Sequence, residues 1–356
     1  MHFLYILNLF TNLVSINLKK RQTIFVLFTF AFFVILMGGS TSDPDWLGYF
    51  AHYVTSNSNT LSIEFGYKTI QQIFYSLGFE YQMFRLSISL LSFSLMYYIL
   101  NKFIGKKSWS LFLFSYSLFL VFYDSIQIRN FIGFLFVLLG LFFLFEKKRN
   151  KIVFIICVLI GASFHISMVV YLIFLIPYLK NYNFYLFFIL LFSVTISSLI
   201  VFNGMRVPFI EPILSSIDGE KYLTYFKEGT SLGSLYPIIL QIINYIYIYI
   251  ISRFYVDKEN TLYHNQIILN INLLSFSFVP FFMVNLNFYR FIRNIVFLNL
   301  IIGQRIYNDL SSQKQKISLV SITIIYILAW CFYGFVINNE FSLVVENLLT
   351  GNYWFK

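Results

Sequence analysis

Two residues of this chain bear groups that are costly to place in an apolar setting. Arg129 lies between two apolar runs, with Asp124, Gln127 and Asn130 beside it. His165 lies with Ser163 and Ser167 inside residues 152–179, a stretch with no Lys, Arg, Asp or Glu. An ionisable group in hydrocarbon costs about 2.5–3.5 kcal/mol on insertion scales, so such residues line polar cavities or sites. A guanidinium stays charged and grips phosphate oxygens with two parallel hydrogen bonds. An imidazole near neutral pH shuttles protons or hydrogen-bonds a phosphate. The blander readings are an arginine reaching to lipid headgroups and a histidine packed between helices.

Other residues add to this set. Asp45 precedes Tyr49 and Glu64 precedes Tyr67, pairing a carboxylate with a tyrosine twice. Carboxylates act as general bases toward hydroxyl nucleophiles, and aromatic rings form platforms for the apolar faces of sugars. Outer loops of membrane proteins also carry acids and interfacial aromatics with no such role. Asp43 and Asp45 have the spacing of a metal-binding D-x-D, without a companion His or third acid nearby, and no metal or other cofactor is expected. Arg290 and Arg293, three apart, fall on one face of a helix and read either as a second anion contact or as an interfacial anchor. There is no G-x-S-x-G, H-E-x-x-H, Walker or C-x-x-C motif, so hydrolase, ATPase and zinc-protease chemistry is unsupported.

The elements that position these residues follow from composition. The chain is 59% apolar and 11% charged, with a mean hydropathy of +0.75. A soluble domain carries about a quarter charged residues, so this is an all-α integral membrane protein. Cys157 and Cys331 lie in apolar runs and read as small buried hydrophobes. The first apolar run lacks a basic leader and a small-residue cleavage site, so no cleavable signal is expected. Apolar runs place about twelve transmembrane helices (range 10–12) near 2–18, 22–39, 82–100, 108–123, 130–145, 151–165, 166–180, 184–202, 235–252, 265–286, 290–306 and 317–336. The pair around His165 could equally be one long broken helix.

Net charge of +10 does not point to nucleic acid, because the basic residues cluster in short loops. With Lys19, Lys20 and Arg21 in the cytoplasm, alternation places 16 of the 25 basic residues and only 4 of the 15 acids inside, a net of +12 there against −2 outside. That is the positive-inside pattern. Both termini then lie outside. So do two larger loops, 40–81 and 203–234, and so do Arg129, His165, Arg290 and Arg293. Within the first loop, Glu64–Leu77 is apolar enough for a short interfacial helix. The second, with Pro208 and Pro212, holds at most one short helix. No internal repeat or linker is visible, so residues 1–356 are expected to form a single membrane domain.

The ordered set Asp45, Tyr49, Glu64, Gly66, Tyr67, Gln127, Arg129, Phe164, His165 and Ser167 resembles the EpsG family, bacterial membrane proteins of exopolysaccharide and O-antigen clusters regarded as Wzy-type polysaccharide polymerases. The likeness in order and spacing covers about residues 20–180. The later half shares only its hydrophobicity, an outer loop and a late arginine cluster. There are departures. The family commonly carries an arginine shortly before the Asp/Tyr motif, and Leu36–Ser42 has none. Phe65 stands where proline is common. Asn130 and Gly133 stand where glutamine and alanine often follow the arginine.

The resemblance implies a multi-pass protein of the bacterial cytoplasmic membrane, active on its outer face. Such an enzyme moves a growing glycan from its undecaprenyl diphosphate carrier onto a new lipid-linked repeat unit. It implies Asp45, Glu64 or His165 as the base for the acceptor hydroxyl, and Arg129 with Arg290 or Arg293 at the leaving diphosphate. Tyr49, Tyr67 and Gln127 would contact sugar or diphosphate. No cofactor or nucleotide sugar is needed, because the donor is already activated. Partners would be a chain-length regulator and a flippase of the same pathway. A membrane O-acyltransferase is a competing class, but it usually has an Arg–His pair in its first helices, where this chain has only His2 and Arg21. A lipid-linked oligosaccharide flippase or transporter is another, and would be expected to show repeat symmetry and polar groups reachable from both sides.

Overall fold

The computed structural model describes residues 1–18, 22–55, 64–146, 149–204, 235–253 and 259–355, and these are helical without a strand. Each of the twelve apolar runs carries helix. In order they are α1 (His2–Ser15), α2 (Thr23–Gly39), α3 (Trp46–Val54), α4 (Phe65–Ser76), α5 (Tyr81–Ile104), α6 (Ser110–Leu118), α7 (Leu120–Ile126), α8 (Ile128–Phe145) and α9 (Lys151–Phe164). A 3-10 helix, Ile166–Tyr178, follows, and then α10 (Tyr182–Phe202), α11 (Leu235–Arg253), α12 (Glu259–Leu274), α13 (Val279–Val284), α14 (Tyr289–Asp309) and α15 (Gln313–Cys331). Among the described residues five helices are long and apolar enough to cross a membrane: Tyr81–Ile104, Ile128–Phe145, Tyr182–Phe202, Gln266–Val284 and Gln313–Ile337. Five further apolar helices are shorter.

The first expected loop holds α3 and α4, and α4 falls where a short helix is expected, over Glu64–Leu77. Residues 56–63 and 205–234, nearly all of the second expected loop, lie outside the described residues. The chain around His165 is broken: α9 ends at Phe164 and His165 is extended (φ −153°, ψ 112°) before the 3-10 helix starts. The run expected at 108–123 is also broken, at Phe119 between α6 and α7. Beyond 336, where the apolar pattern ends, the chain turns at Asn339 (φ 55°) and forms further helix at Phe341–Glu346 and α16 (Asn347–Thr350).

The helices form two compact units, Met1–Leu172 with Leu300–Lys356, and Ile173–Asn299. In the first unit, α8 and α9 make the most extensive helix pair. Glycines permit it, because close backbone approach in apolar bundles needs small residues. A Cβ on Gly133 would sit 2.9 Å from the Gly161 carbonyl oxygen, and one on Gly140 would sit 2.9 Å from the Cys157 Cβ. Polar side chains satisfy backbone groups that a helix leaves open at its ends. Gln304 Oε1 accepts from the Phe112 N–H in the first turn of α6 at 2.9 Å. The carbonyls at the end of α2 are met from α5: Gln82 donates to Gly38 O, and Arg85 Nε donates to Met37 O at 2.8 Å. Asn352 donates to Ile35 O at 3.0 Å, and Thr41 N–H donates to Gly351 O at 2.8 Å, fastening the C-terminal segment to the end of α2.

In the second unit, Asn272 and Asn299 exchange amide hydrogen bonds at 2.9 Å each way, and Gln241 donates to the Asn272 carbonyl at 2.7 Å. Such pairs fix helix register in an apolar surrounding. The apolar side chains of α10, among them Phe187, Phe192 and Phe202, are largely exposed, as lipid-facing residues would be.

The tight α8–α9 approach carries a test. Gly161→Val should force the two helices apart and cost about 1–3 kcal/mol, the usual range for overpacking. Thermal denaturation in detergent should show that loss, and Gly48→Ala, where a Cβ meets nothing within 4 Å, should melt as the parent does.

Candidate functional site

Arg129, Glu64, Tyr49 and Tyr67 converge in the first unit, next to the chain at His165. Arg129 lies in the first turn of α8, just after the break at Gln127 (φ −92°, ψ 57°). Its Nη1 donates to Glu64 Oε2. Glu64 precedes α4, and its other oxygen accepts from the Ile166 backbone N–H at 3.3 Å. One carboxylate therefore ties the start of α8 to the chain next to His165. The pair is only partly covered, with side-chain exposures of 24% for Arg129 and 20% for Glu64. Arg129 also lies over the Tyr49 ring, 5.4 Å from its centroid, in a cation–π arrangement. Its Nε is buried and makes no hydrogen bond among the described residues.

Tyr49 and Tyr67 form the floor beneath this pair. Both are buried, and their ring centroids are 5.9 Å apart. Burial pushes the Tyr49 phenol up, opposed by the Arg129 charge. Burial pushes Tyr67 well above its ordinary value. Both hydroxyls thus stay protonated at neutral pH, since desolvation penalises the phenolate. Gly66 explains its place in the motif: a Cβ there would collide with the Ser163 side chain, so glycine lets α4 lie against the end of α9.

At His165 the Ser167 hydroxyl lies 2.6 Å from Nδ1, and the Ser167 backbone N–H points at the same nitrogen from 3.3 Å. A backbone N–H only donates, so Nδ1 accepts and the neutral ring carries its proton on Nε2. In this arrangement the ring N–H sits on Nε2, a group of the kind that hydrogen-bonds phosphate or hydroxyl oxygens. Asp45 is exposed one turn before Tyr49 and near enough to act on that phenol electrostatically. The two aspartates of the D-x-D spacing are divided: Asp43 is buried against Arg85 and Ser40, while Asp45 is exposed. No cluster of three or more His, Cys, Asp or Glu suited to a metal occurs among the described residues.

Arg290 and Arg293 stand on the second unit, at the start of α14. The expectation of a shared face is altered by burial. Arg293 is fully buried with its guanidinium 6.0 Å from the Tyr289 ring centroid, whereas Arg290 is half-buried and donates from Nε to Asn287 O at 2.7 Å.

Sequence reasoning missed Arg85. It pairs with Asp43 at 2.7 Å, both side chains being fully buried. The signal was present, because Arg85 is a charge near one end of an apolar run and the insertion-cost argument that singled out Arg129 applies to it equally.

The Glu64–Arg129 pair carries a test of its own. Arg129→Ala and Glu64→Ala should each lower the detergent melting temperature, and the double variant should lose less than the two together. The coupling should be about 1 kcal/mol, in keeping with a partly exposed pair. Strict additivity would show that the two side chains do not interact.

Neither curated proteins nor solved structures match this chain. A family model does: that of the EpsG family, over residues 23–347. The match runs through the later half of the chain, where the motifs read above are absent. The helices that hold Glu64, Arg129 and His165 are thus those of a membrane protein of the polysaccharide-polymerase type, and the chain belongs to the EpsG family.

Proposed function

We propose that this protein joins lipid-linked oligosaccharide repeat units into polysaccharide, as a Wzy-type polymerase working on undecaprenyl diphosphate carriers. The reading rests on one observation above the others: a partly open Glu64–Arg129 pair on a tyrosine floor, with a donor-poised His165 next to the Glu64 contact, in a member of this family. On this reading the chain crosses the cytoplasmic membrane about twelve times, with this site on the outer face, as the distribution of basic residues supports. Partners would be a flippase delivering repeat units and a chain-length regulator.

The chemistry assigns roles. The bond from the anomeric carbon to the carrier diphosphate breaks, and a bond to the acceptor hydroxyl oxygen forms. The hydroxyl proton passes to a carboxylate, and the diphosphate leaves with the bonding pair. Arg129 stabilises the charge that grows on the diphosphate, in a setting where a fixed cation acts more strongly than in water. The Nε2–H of His165 suits the same oxygens. Glu64 or Asp45 takes the proton. Before the diphosphate binds, Glu64 holds Arg129 in place; as the phosphate displaces it, the carboxylate is released to act as base. Tyr49 holds the guanidinium from below, Tyr67 packs against Tyr49, and both keep their protons.

Arg129→Ala should remove at least about 99% of long-chain glycan, the usual cost of losing one preorganised donor. Single-unit glycan should persist on the surface. His165→Ala should shorten the ladder as well. Gel analysis of surface glycan reads both, with the protein level checked by immunoblot. An intact ladder in the two variants would overturn the site. Loss of the single unit too would favour export over polymerisation.

A further inference from the structure

Arg85 occupies a position that the chemistry above does not use. Its fully buried guanidinium reaches three separate segments. Nε donates to Met37 O at 2.8 Å, at the end of α2. Nη2 pairs with Asp43 Oδ2 at 2.7 Å, at the start of the outer segment that continues into Asp45 and Tyr49. Nη2 also donates to Ser125 O at 3.1 Å, in the last turn of α7, four residues before Arg129. Asp43 is held in turn by the Ser40 hydroxyl at 2.6 Å. The next segment out is fastened by the C-terminal chain, where the Ser42 hydroxyl donates to Asn347 O at 2.9 Å and the Thr41 hydroxyl to Gly351 O at 2.9 Å.

From these contacts we propose that Arg85 and Asp43 are positioning residues: they hold the α7–α8 break and the start of the outer segment in the register that sets Arg129 above Tyr49. Neither touches substrate. A rigid fork is what three-way bridging needs, since a guanidinium presents several donors in one plane, while an ammonium is a point charge on a flexible stem. A cation at the end of α2 also suits the negative end of that helix. The breaks at Phe119 and Gln127 leave α7 as a helix of only seven residues, so its orientation is set by what grips it from outside. This inference rests on the proposed role of Arg129 for its effect on turnover, though not for its effect on structure.

The test compares the parent protein with Arg85→Lys and with Ser40→Ala, which keeps both charges. Hydrogen exchange followed by mass spectrometry in detergent should quicken at least tenfold in residues 37–45 and 125–130 of Arg85→Lys, with α10 unchanged. Ser40→Ala should show a smaller change in residues 37–45. With lipid-linked repeat units extracted from the same cells, kcat of Arg85→Lys should fall at least tenfold while KM stays within threefold. Unchanged exchange at 125–130, equal quickening everywhere, or undiminished kcat would each overturn the proposal. If the parent shows no turnover, or Arg129→Ala is fully active, the polymerase site is what fails, and the exchange result still decides whether Arg85 holds the break. Should Arg85→Lys not accumulate, Ser40→Ala decides alone, and unchanged exchange in its residues 37–45 would overturn the proposal.

Discussion

An arginine and an aspartate buried together in an apolar bundle stand at a narrow balance of energies. Each charge loses several kcal/mol of hydration, and their attraction recovers this only when geometry is good and the remaining donors and acceptors are met. Asp43 and Arg85 achieve part of that, since Asp43 Oδ1 and Arg85 Nη1 are buried without a hydrogen bond among the described residues. Their direct contact is supplemented by Ser40 on one side and by the carbonyls of Met37 and Ser125 on the other. Replacing either partner alone would leave a lone charge in the interior, at a cost of about 3–5 kcal/mol. The end of α2, the segment that follows it and the α7–α8 break all meet at this contact. The place of Arg129 depends on it, because Arg129 lies one turn beyond Ser125.

The second ion pair shows the contrast. Glu64 and Arg129 are joined in the same way but remain partly open, where Asp43 and Arg85 are sealed. A sealed pair holds segments together and has little capacity to exchange partners. A partly open pair can exchange one anionic partner for another, because solvent and ligand compensate the change. The division of labour between the two arginines therefore follows from burial, not from residue type. Tyr67 is coupled electrostatically to both arginines, and its buried ring packs between Tyr49 and Phe84.

Glycine and polar side chains fill out the scaffold for the same reason. In an apolar bundle there is little hydrophobic gain in bringing one helix to another, so close approach and hydrogen bonds supply the specificity. Gly133 and Gly161 bring α8 against α9, which carries Arg129 and His165 to the same end of one helix pair. The asparagine pair of the second unit does the comparable work there.

Much of this architecture was legible in the amino-acid sequence. Long apolar runs dictate helices, because only internal hydrogen bonding satisfies a backbone in hydrocarbon. The lone charges Arg129 and His165, and the ordered carboxylate–tyrosine motifs, pointed to the family. What the sequence could not decide was partner choice. Asp43 and Asp45 look alike two residues apart, yet one is sealed against Arg85 and the other faces outward. Arg290 and Arg293 share a helical spacing, yet one is half-buried and the other wholly so. The pairing of Glu64 with Arg129 spans 65 positions, and that of Asp43 with Arg85 spans both α3 and α4. Local pattern reports which residues are costly to bury; only the packing of distant helices determines which charge meets which, and how much water is left between them.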